Sequence, residues 1–348
     1  MNKQKVYVGL SGGVDSSVTA ALLKEQGYDV TGVYMKNWSQ DLPGMPCPWK
    51  EDYQDAKRVA VQLGIPFKMY DFQKEYRQKV VDYMVAEYQA GRTPNPDIMC
   101  NQEVKFKVFL DMCLEDGADL IATGHYARVK DGKLLRAKDE NKDQTYFLYR
   151  VTEEALKHTL FPLGDYTKPE VRKLAEKFNL VTATKKESMG ICFVGKVGIK
   201  DFLIYELGPQ KPGDIIDENG ITVGQHDGAI FYTIGQRHGL DVGGGLPYYV
   251  IGKDMATNQV RVTTDINDKN LWTNRLNMTD IHWINITPKD GQEVQVRTRH
   301  RAPLISAKLV IEGDDIHLKL KDDIRAATPG QSAVIYDQQA VLGGGILV

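Results

Sequence analysis

The sequence predicts an α/β fold in which a doubly wound parallel sheet comes first and small all-β modules follow. Three observations support this. Short apolar strands alternate with helical segments over the first half of the chain. A glycine-rich loop joins the first strand to the first helix. In the last part of the chain, glycine clusters and turn residues separate short β-branched runs.

The first element is a strand-like run at Lys5–Val8, and the loop 9–17 connects it to a helical run at 18–27. A helix that begins after such a loop directs several unpaired N–H groups at one point, where a phosphate can bind. Gly12 and Gly13 lack a Cβ atom, so the backbone can approach the anion closely. Three serines of the loop add hydroxyl donors: Ser11, Ser16 and Ser17.

The loop 9–17 reads Gly-Leu-Ser-Gly-Gly-Val-Asp-Ser-Ser. It is not a Walker A loop because it lacks the Gly-Lys-Ser/Thr ending, and it also lacks the GxGxxG pattern of dinucleotide-binding folds. It resembles the PP-loop of the ATP pyrophosphatases, which cleave ATP between the α- and β-phosphates and transfer AMP. An ordinary strand-to-helix turn is the alternative for this motif alone. The resemblance implies nucleotide activation.

The following elements continue the alternation. Strands are predicted at 30–35, 67–70 and 120–123, with helices at 51–63 and 74–90 and another helix before residue 120. Such an order favours parallel pairing with right-handed crossovers and helices on both faces. Ligands of these sheets bind beyond the carboxyl ends of the strands. The glycine loop, Met35, Gly124 and His125 lie at such ends, so we expect them to converge on one nucleotide.

A capping-box pattern at Thr167–Glu170 predicts a helix that continues to about Phe178. Beyond it the pattern changes to β-branched runs such as 259–263 and to glycine clusters at Gly243–Gly245 and Gly343–Gly345. We place domain boundaries near residues 198 and 267. The predicted units are 1–198, 199–266 and 267–348.

Composition limits the class of protein. The chain has 348 residues, a formal net charge of −2 and ordinary hydrophobic and charged fractions. A polyanionic partner would therefore bind a local basic patch. We find no signal peptide and no apolar run long enough to cross a membrane. Four scattered cysteines without a CxxC pair argue against a disulfide framework or a zinc site, so we expect a cytosolic protein with reduced thiols.

The four cysteines have different surroundings. Cys113 lies on an apolar helical stripe and is predicted to be a buried structural residue. Cys47 lies in a proline-bracketed loop, and we leave its role open. Cys100 lies near a predicted helix start, where a thiolate is favoured, and Asp97 is close enough on that helix to move protons. Cys192 lies between glycines in a predicted loop. A buried structural cysteine is the alternative at both Cys100 and Cys192.

Several segments together resemble one family. They occur in this order along nearly the whole chain: SGGVDSS, NPDIMCNQEVKF, ATGHYAR, KDQTYFLY, ESMGICFVG, YTIGQRHGL and TPGQSAV. The chain is similar to the bacterial tRNA-specific 2-thiouridylases. The resemblance implies a PP-loop ATP-pyrophosphatase domain, a small central β-rich domain and a C-terminal β-barrel that contacts tRNA. It also implies ATP-dependent replacement of O2 of the wobble uridine by sulfur.

The same resemblance implies roles for individual residues. Cys192 would carry a persulfide, Cys100 would attack it to free the sulfur and leave a Cys100–Cys192 disulfide, and Asp97 would act as acid or base. The implied ATP contacts are Gly9, Leu10, Ser11, Gly12, Gly13, Val14, Asp15, Ser16, Met35 and Gly124. The implied tRNA contacts are Asn95, Pro96, Asp97, His125, Lys142, Asp143, Gln144, Arg299, His300 and Gln331. No metal ligand is assigned.

Cofactors and partners follow from the resemblance as well. It implies ATP with Mg²⁺, tRNA acceptors for Lys, Glu and Gln, and a cysteine desulfurase or sulfur carrier as the donor, with no membrane. One sequence feature supports RNA binding independently: Arg297, Arg299 and Arg301 alternate along a strand-like run and would share one face. A solvated strand edge is the alternative.

Three other functions remain open. The chain could be another PP-loop enzyme that transfers AMP, although the paired loop cysteines and the added β-barrel fit those enzymes poorly. It could also be a nucleotide-binding sensor without turnover. Finally, Cys100, Cys192 and Asp97 could hold an iron–sulfur cluster instead of passing a persulfide.

Overall fold

A computed structural model provides the structure, which describes residues 3–42, 47–186, 198–240, 242–243, 245, 247–313 and 315–348. The first part alternates strands and helices as predicted. Its elements are β1 (Lys5–Gly9), α1 (Val14–Glu25), β2 (Asp29–Lys36), α2 (Trp49–Leu63), β3 (Phe67–Asp71), α3 (73–89), α4 (96–115), β4 (Leu120–Ala122), β5 (Arg128–Lys130), β6 (Lys133–Leu135), α5 (Glu153–Lys157), β7 (Thr159–Leu160) and α6 (Lys168–Lys177). Five strands form a parallel sheet in the order β3-β2-β1-β4-β7.

The parallel sheet is covered on both faces, which confirms the doubly wound prediction. Alternate residues of β1 point to opposite sides. Val6 and Val8 join an apolar cluster with residues of α1 and α2. Tyr7 joins a second cluster with residues of α3 and α4. The apolar strand pattern thus buries both faces of the sheet and leaves the carboxyl ends of the strands to form a site.

Two helices on the second face contain π-helical segments, Arg77–Val81 in α3 and Cys100–Val108 in α4. Within the second segment, Phe106 has non-helical dihedral angles of φ −105° and ψ 17°, which produce a kink. π-helical turns occur frequently at functional sites because they change the direction of side chains. In this chain the second segment begins at Cys100.

The rest of the chain is β-rich, as predicted. Its elements are α7 (Ile199–Leu207), β8 (Gly213–Ile216), β9 (Thr222–His226), β10 (Tyr249–Asp254), β11 (Gln259–Thr263), β12 (Trp272–Trp283), β13 (Glu293–Arg297), β14 (Ile305–Glu312), β15 (Asp315–Arg325), β16 (Ser332–Asp337) and β17 (Ala340–Leu347). The small central sheet has the order β10-β11-β8-β9. Helix α7 precedes that sheet, but its Phe202 and Leu203 pack into the core of the first part.

The C-terminal strands form a closed antiparallel barrel, which confirms the expected β-barrel. The strand order is β12-β15-β14-β13-β16-β17, and β17 pairs back with β12 to complete the ring. Closure leaves the six strands without a free edge between them. Alternate side chains, such as Leu309, Leu318 and Ile335, fill the interior.

A hairpin of the first part extends the sheet of the barrel. Strands β5 and β6 pair with each other, and Leu135 of β6 pairs with Ala340 of β17. Val334 and Tyr336 of β16 are buried in the same apolar cluster as Leu134. The barrel and the parallel-sheet part therefore share a core. The sequence did not predict this because the hairpin is too short to give a periodic signal.

Across the residues that the structure describes, no helix is both long enough and apolar enough to span a bilayer.

Candidate active site

The glycine loop turns sharply between β1 and α1. Gly12 has a φ of +76°, and a Cβ atom there would lie 2.4 Å from the backbone oxygen of Asp52 at the start of α2. Only glycine fits at this position without strain. Gly13 caps α1 without any side-chain hydrogen bond, so the first N–H groups of the helix receive no acceptor from a capping side chain. This arrangement fits an anion such as phosphate.

The hydroxyl groups of the loop differ in what they are available to bind. Ser16 donates to the carbonyl of Gly13 over 3.1 Å and accepts from the backbone N–H of Ser11 over 3.2 Å. Ser17 is 1% exposed and donates to the same carbonyl over 2.7 Å, so its expected role as a phosphate donor is wrong. Ser11 is exposed, and its hydroxyl lies 3.2 Å from that of Ser16.

The apolar residues of the loop are structural. Leu10 and Val14 are buried, and the N–H of Leu10 donates to the carbonyl of Val33 over 2.8 Å. Any contact of these two residues with a nucleotide therefore involves other backbone atoms. Their burial holds the loop against the sheet.

The ends of the neighbouring strands meet the loop, as the alternation predicts. A Cβ atom on Gly9 would lie 2.9 Å from Cε of Met35, and a Cβ atom on Gly124 would lie 2.8 Å from the backbone nitrogen of Ser16. Met35 ends β2 and Gly124 follows β4. Their contact with a nucleotide stays a prediction.

Asp15, in the first turn of α1, is held by two side chains from other elements. The ammonium group of Lys168 lies 2.7 and 2.8 Å from its two carboxylate oxygens, and the hydroxyl of Tyr126 donates to it over 3.0 Å. Lys168 is the first residue of α6 and is 9% exposed. Lys168 thus brings a positive charge to a loop whose own sequence contains no lysine or arginine.

Cys100 and Asp97 lie three residues apart near the beginning of α4. The side chain of Asn95 caps this helix by accepting from the N–H of Asp97 over 3.2 Å, and Pro96 is the first helical residue. Cys100 is 2% exposed and lies beyond the first turn. The effect of the helix dipole falls off within the first turn. The dipole therefore stabilises a Cys100 thiolate less than it would if the helix began closer to Cys100. Burial raises the pKa of the Asp97 carboxyl, and the nearby Lys105 opposes this.

His125 connects this helix with the glycine loop. Its ring lies 5.7 Å from the ring of Phe106 in α4 and 6.1 Å from that of Phe161. Its Nδ1 atom is 2.8 Å from the hydroxyl of Thr123. Burial lowers the pKa of His125 well below its ordinary value, with a further lowering by Lys105. The imidazole is therefore neutral near pH 7.

The segment 142–144 lies where the first part meets the barrel. The Asp143 side chain is fully buried; its carboxylate accepts from Thr145 and lies 3.1 Å from the guanidinium of Arg297. Gln144 accepts from the N–H of Tyr126 over 2.9 Å. Lys142 is partly exposed. The carboxylate of Asp143 is thus engaged inside the protein and does not face solvent.

The expected arginine face is wrong. Strand β13 ends at Arg297, which is 5% exposed and paired with Asp143. The chain turns after it, and Arg301 has a φ of +63°. Arg299 is exposed, and its guanidinium donates to the carbonyl of Ala326 over 2.9 Å. The three arginines alternate in sequence but do not lie along one strand.

Two further barrel residues contact the first part. Gln331 donates through Nε2 to the carbonyls of Thr93, over 2.7 Å, and Pro94, over 3.3 Å. The ring of His300 lies 4.7 Å from that of Phe147, and its buried Nδ1 has no hydrogen-bond partner among the described residues. Burial and the adjacent Arg301 lower the pKa of His300 to about 4.

Family models match the chain in three consecutive segments. A tRNA methyl transferase HUP domain matches residues 4–196, a tRNA methyl transferase PRC-barrel domain matches 200–264, and an aminomethyltransferase β-barrel domain matches 273–347. The tRNA-specific 2-thiouridylase MnmA of Lactococcus lactis subsp. lactis (strain IL1403) is 47% identical and covers 99% of this chain and 94% of its own. Its namesakes from Streptococcus sanguinis (strain SK36) and Bacillus subtilis (strain 168) are 48% and 46% identical, covering 99% of this chain and 95% and 94% of their own.

The chain belongs to the tRNA-specific 2-thiouridylase family. Solved structures overlap it more loosely. A 4-thiouridine synthetase–RNA complex with bound ATP has a TM-score of 0.39 and 18% identity, covering 59% of this chain and 50% of that one. An NH3-dependent NAD synthetase from Campylobacter jejuni has a TM-score of 0.34 and 19% identity, covering 52% and 66%. The assignment to the 2-thiouridylase family therefore rests on the sequence relatives.

Three of the four cysteines of this 2-thiouridylase-family chain lie within the described residues. Cys192 lies outside the described residues, so its predicted pairing with Cys100 stays a prediction. Cys113 is 0% exposed, as predicted, and burial raises the pKa of its thiol. Cys47 is partly exposed, and its N–H donates to Asp41 over 2.8 Å. Burial also raises the pKa of the Cys47 thiol.

Sequence reasoning missed two residues of this 2-thiouridylase-family site, Lys168 and Tyr126. A signal for the first was available. A cation at the first position of a helix is disfavoured by the helix dipole, so a lysine there calls for a compensating anion elsewhere. In the structure that anion is Asp15.

One cluster of side chains in the described part of the chain has ligand atoms close enough to hold a metal ion, and it consists of Glu312, Asp315 and His317 on the barrel. The guanidinium of Arg275 lies 3.4 Å from the Asp315 carboxylate and 3.3 Å from Nδ1 of His317. The positively charged guanidinium of Arg275 therefore already pairs with this cluster. For that reason we assign no metal site to it.

Proposed function

We propose that this chain catalyses ATP-dependent replacement of O2 of the wobble uridine of tRNA by sulfur. The observation that carries the proposal is the match of relatives named for tRNA 2-thiolation along 99% of the chain. The geometry supports it through two features that 2-thiolation needs, an anion-binding glycine loop and a cysteine with a neighbouring carboxyl group.

The first step would activate the uridine. Its O2 atom attacks the α-phosphorus of ATP, AMP becomes attached to that oxygen, and pyrophosphate leaves. The N-terminus of α1 and the hydroxyl of Ser11 are suited to bind the phosphates. Mg²⁺ is part of the proposal because it commonly accompanies nucleotide phosphates. The carboxylate of Asp15 lies at this loop and is paired with Lys168.

The second step would transfer sulfur. The terminal sulfur of a Cys192 persulfide attacks C2 of the activated uridine, and AMP leaves with its oxygen. The Cys100 thiolate then attacks Sγ of Cys192, which releases the thiolated tRNA and forms a Cys100–Cys192 disulfide. Asp97 is the acid or base, and burial raises the pKa of its carboxyl, which favours the protonated form.

The tRNA surface would include the start of α4, the segment 142–144 and the barrel residues. Asn95 and Pro96 lie next to Asp97 and would contact the target base. His125 and His300 are neutral, so they would contact RNA by stacking or hydrogen bonds rather than by charge. A sulfur donor such as a cysteine desulfurase or sulfur carrier is required, and acceptors for Lys, Glu and Gln in the cytoplasm are the proposed substrates.

The test is reconstitution. The purified protein is incubated with ATP, Mg²⁺, a persulfide donor and tRNA with a wobble uridine, and nucleosides, AMP and pyrophosphate are measured. We expect 2-thiouridine together with stoichiometric AMP and pyrophosphate. Binding of ATP without either product would instead indicate a sensor. An iron–sulfur cluster would appear in the absorption spectrum of anaerobically purified protein and would exclude the persulfide relay.

The family models' descriptions mention methyl transfer, so a matched reaction with S-adenosylmethionine in place of ATP and the sulfur donor serves as the control. We expect no methylated nucleoside. A methylated product without 2-thiouridine would overturn the proposed function.

A further inference from the structure

The glycine loop presents an electrostatic problem for any polyphosphate. Asp15 is the charged residue of the loop 9–17, and its charge is negative. It lies in the first turn of α1, where the phosphates are proposed to bind. An unpaired carboxylate at that position would repel them, because two like charges a few ångströms apart interact strongly where water is partly excluded.

Lys168, the first residue of α6, neutralises the charge of Asp15. Its ammonium contacts both carboxylate oxygens of Asp15, while Tyr126 fixes one of them. Gly124 lies directly against the backbone of Asp15 and Ser16. The carboxylate is therefore held by Lys168 and Tyr126, from two other segments of the chain, while Gly124 packs on the backbone of the same turn.

The exposure of the two partners shows which of them faces the solvent. The Asp15 side chain is 33% exposed and that of Lys168 is 11% exposed. Asp15 is therefore more accessible to a ligand than the largely buried side chain of Lys168 is. A cation in that position acts on a ligand mainly through the residue it holds.

We propose that Lys168 is a positioning residue for the polyphosphate of ATP: it orients Asp15 and cancels its charge, so that the N-terminus of α1 can bind the polyanion. The inference rests on the proposed use of ATP. Lys168 differs in this from the lysine of a Walker A loop, which reaches the phosphates directly, because it acts through Asp15.

The test measures binding of inorganic pyrophosphate and of ATP to the full-length protein by calorimetry, with EDTA so that no divalent ion screens Asp15. We expect Lys168→Met to weaken both affinities by about tenfold or more. Lys168→Arg keeps the charge and should stay close to wild type. Lys138→Met is the control. It removes an exposed charge that pairs with Glu170 of α6, and it should change neither affinity.

A rescue experiment separates electrostatics from packing. In the double variant Asp15→Asn/Lys168→Met the repelling charge is gone, so we expect binding of pyrophosphate to return to within about threefold of wild type. Asp15→Asn alone should bind pyrophosphate at least as tightly as wild type. Circular dichroism confirms that each variant is folded.

The outcomes are distinguishable. Unchanged binding by Lys168→Met, absence of recovery in the double variant, or weaker binding by Asp15→Asn would each overturn the role of Lys168. A wild-type protein that binds neither ATP nor pyrophosphate, with and without Mg²⁺, would overturn the proposed use of ATP itself.

Discussion

Asp97 illustrates at the scale of one residue how a proposed catalytic group reduces stability. Its backbone N–H takes part in the cap of α4, so the residue is held in place by helix geometry. Its carboxyl is largely buried, which disfavours the charged form and raises its pKa. A carboxyl whose pKa is higher in the folded state stabilises the fold only at low pH, and this contribution is lost as the pH rises through the folded-state pKa.

Replacing Asp97 with asparagine should therefore stabilise the protein while abolishing thiolation. The amide resembles the protonated carboxyl and carries no charge at neutral pH. We expect a higher thermal midpoint for Asp97→Asn than for wild type at pH 7, and a smaller difference in mildly acidic buffer. Asp111→Asn, on the exposed side of the same helix, is the control and should leave the midpoint unchanged. A lower midpoint at pH 7 would contradict the assigned cause of the pKa shift.

Substitutions of the two proposed catalytic cysteines should have different effects on persulfide formation. We expect Cys192→Ser never to carry a persulfide, whereas Cys100→Ser should acquire one and stall with adenylated tRNA. Mass spectrometry after incubation with a persulfide donor reports each state. Cys113→Ser should keep full activity and lose ~1–3 kcal/mol of stability, because its thiol is completely buried. A persulfide located at Cys100 in Cys192→Ser would reverse the assignment.

At the scale of elements, the turn after β13 and the loop after β15 bring the barrel to the segment that leads into α4. Arg299 bonds to the carbonyl of Ala326, and Gly330 packs so closely on Thr93 that a Cβ atom would lie 2.8 Å from its nitrogen. The N–H of Thr93 in turn donates to the carbonyl of Pro329 over 2.9 Å. The segment that leads into Asn95 and α4 is therefore fixed by the barrel.

Gln331 should influence the rate of thiolation more than the affinity for tRNA. Its amide holds the carbonyls of Thr93 and Pro94, which precede the cap of α4. We expect Gln331→Met to lower the kcat for thiolation, with a tRNA Kd close to wild type. Filter binding and single-turnover kinetics separate the two quantities. Loss of affinity with an unchanged kcat would make Gln331 an ordinary tRNA contact.

Arg299 should behave in the opposite way. Arg299 is an exposed residue, so Arg299→Ala should weaken tRNA binding with little effect on the chemical step. Loss of one phosphate contact should lower the slope of log affinity against log salt concentration by roughly one unit. An unchanged slope would indicate that Arg299 serves only to hold the carbonyl of Ala326.

At the scale of the whole molecule, a buried ion pair joins the first part to the barrel. Asp143 and Arg297 are almost completely buried, and their charged groups lie 3.1 Å apart. Arg136 is a second neighbour, with its Nε 3.8 Å from the same carboxylate. Removal of Asp143 therefore leaves the Arg297 guanidinium without its carboxylate partner away from water. The family resemblance implies that Asp143 contacts tRNA, whereas its burial indicates a role in stability. Measurements of stability and of tRNA binding distinguish the two roles.

We expect Asp143→Asn to destabilise the protein by ~3–5 kcal/mol in chemical denaturation, with Asp143→Asn/Arg297→Met recovering part of the loss. Lys157→Met breaks an exposed pair with Glu153 and should leave the unfolding midpoint unchanged. A stable Asp143→Asn variant with weaker tRNA binding would restore the role implied by the family resemblance.

Local patterns predicted the elements well, because strand alternation, glycine loops and caps act over a few residues. They identified β1, α1 and the cap of α6 with its Thr167–Glu170 box. They failed where distant segments meet. Alternating arginines suggested a shared strand face, but the chain turns after Arg297 and the buried Asp143 engages that residue. Pairing of Lys168 with Asp15 likewise depends on how α6 packs against α1, which no short window of sequence records.

The hairpin β5–β6 has a consequence for synthesis of the chain. Its outer neighbour, β17, leaves the ribosome about two hundred residues later, which at ordinary translation speeds is roughly ten to forty seconds. Throughout that interval the nascent protein presents an unsatisfied strand edge and the apolar side chains around Leu134 that the barrel will cover. During synthesis the chain is therefore prone to aggregate until β17 has been translated and can pair with the hairpin.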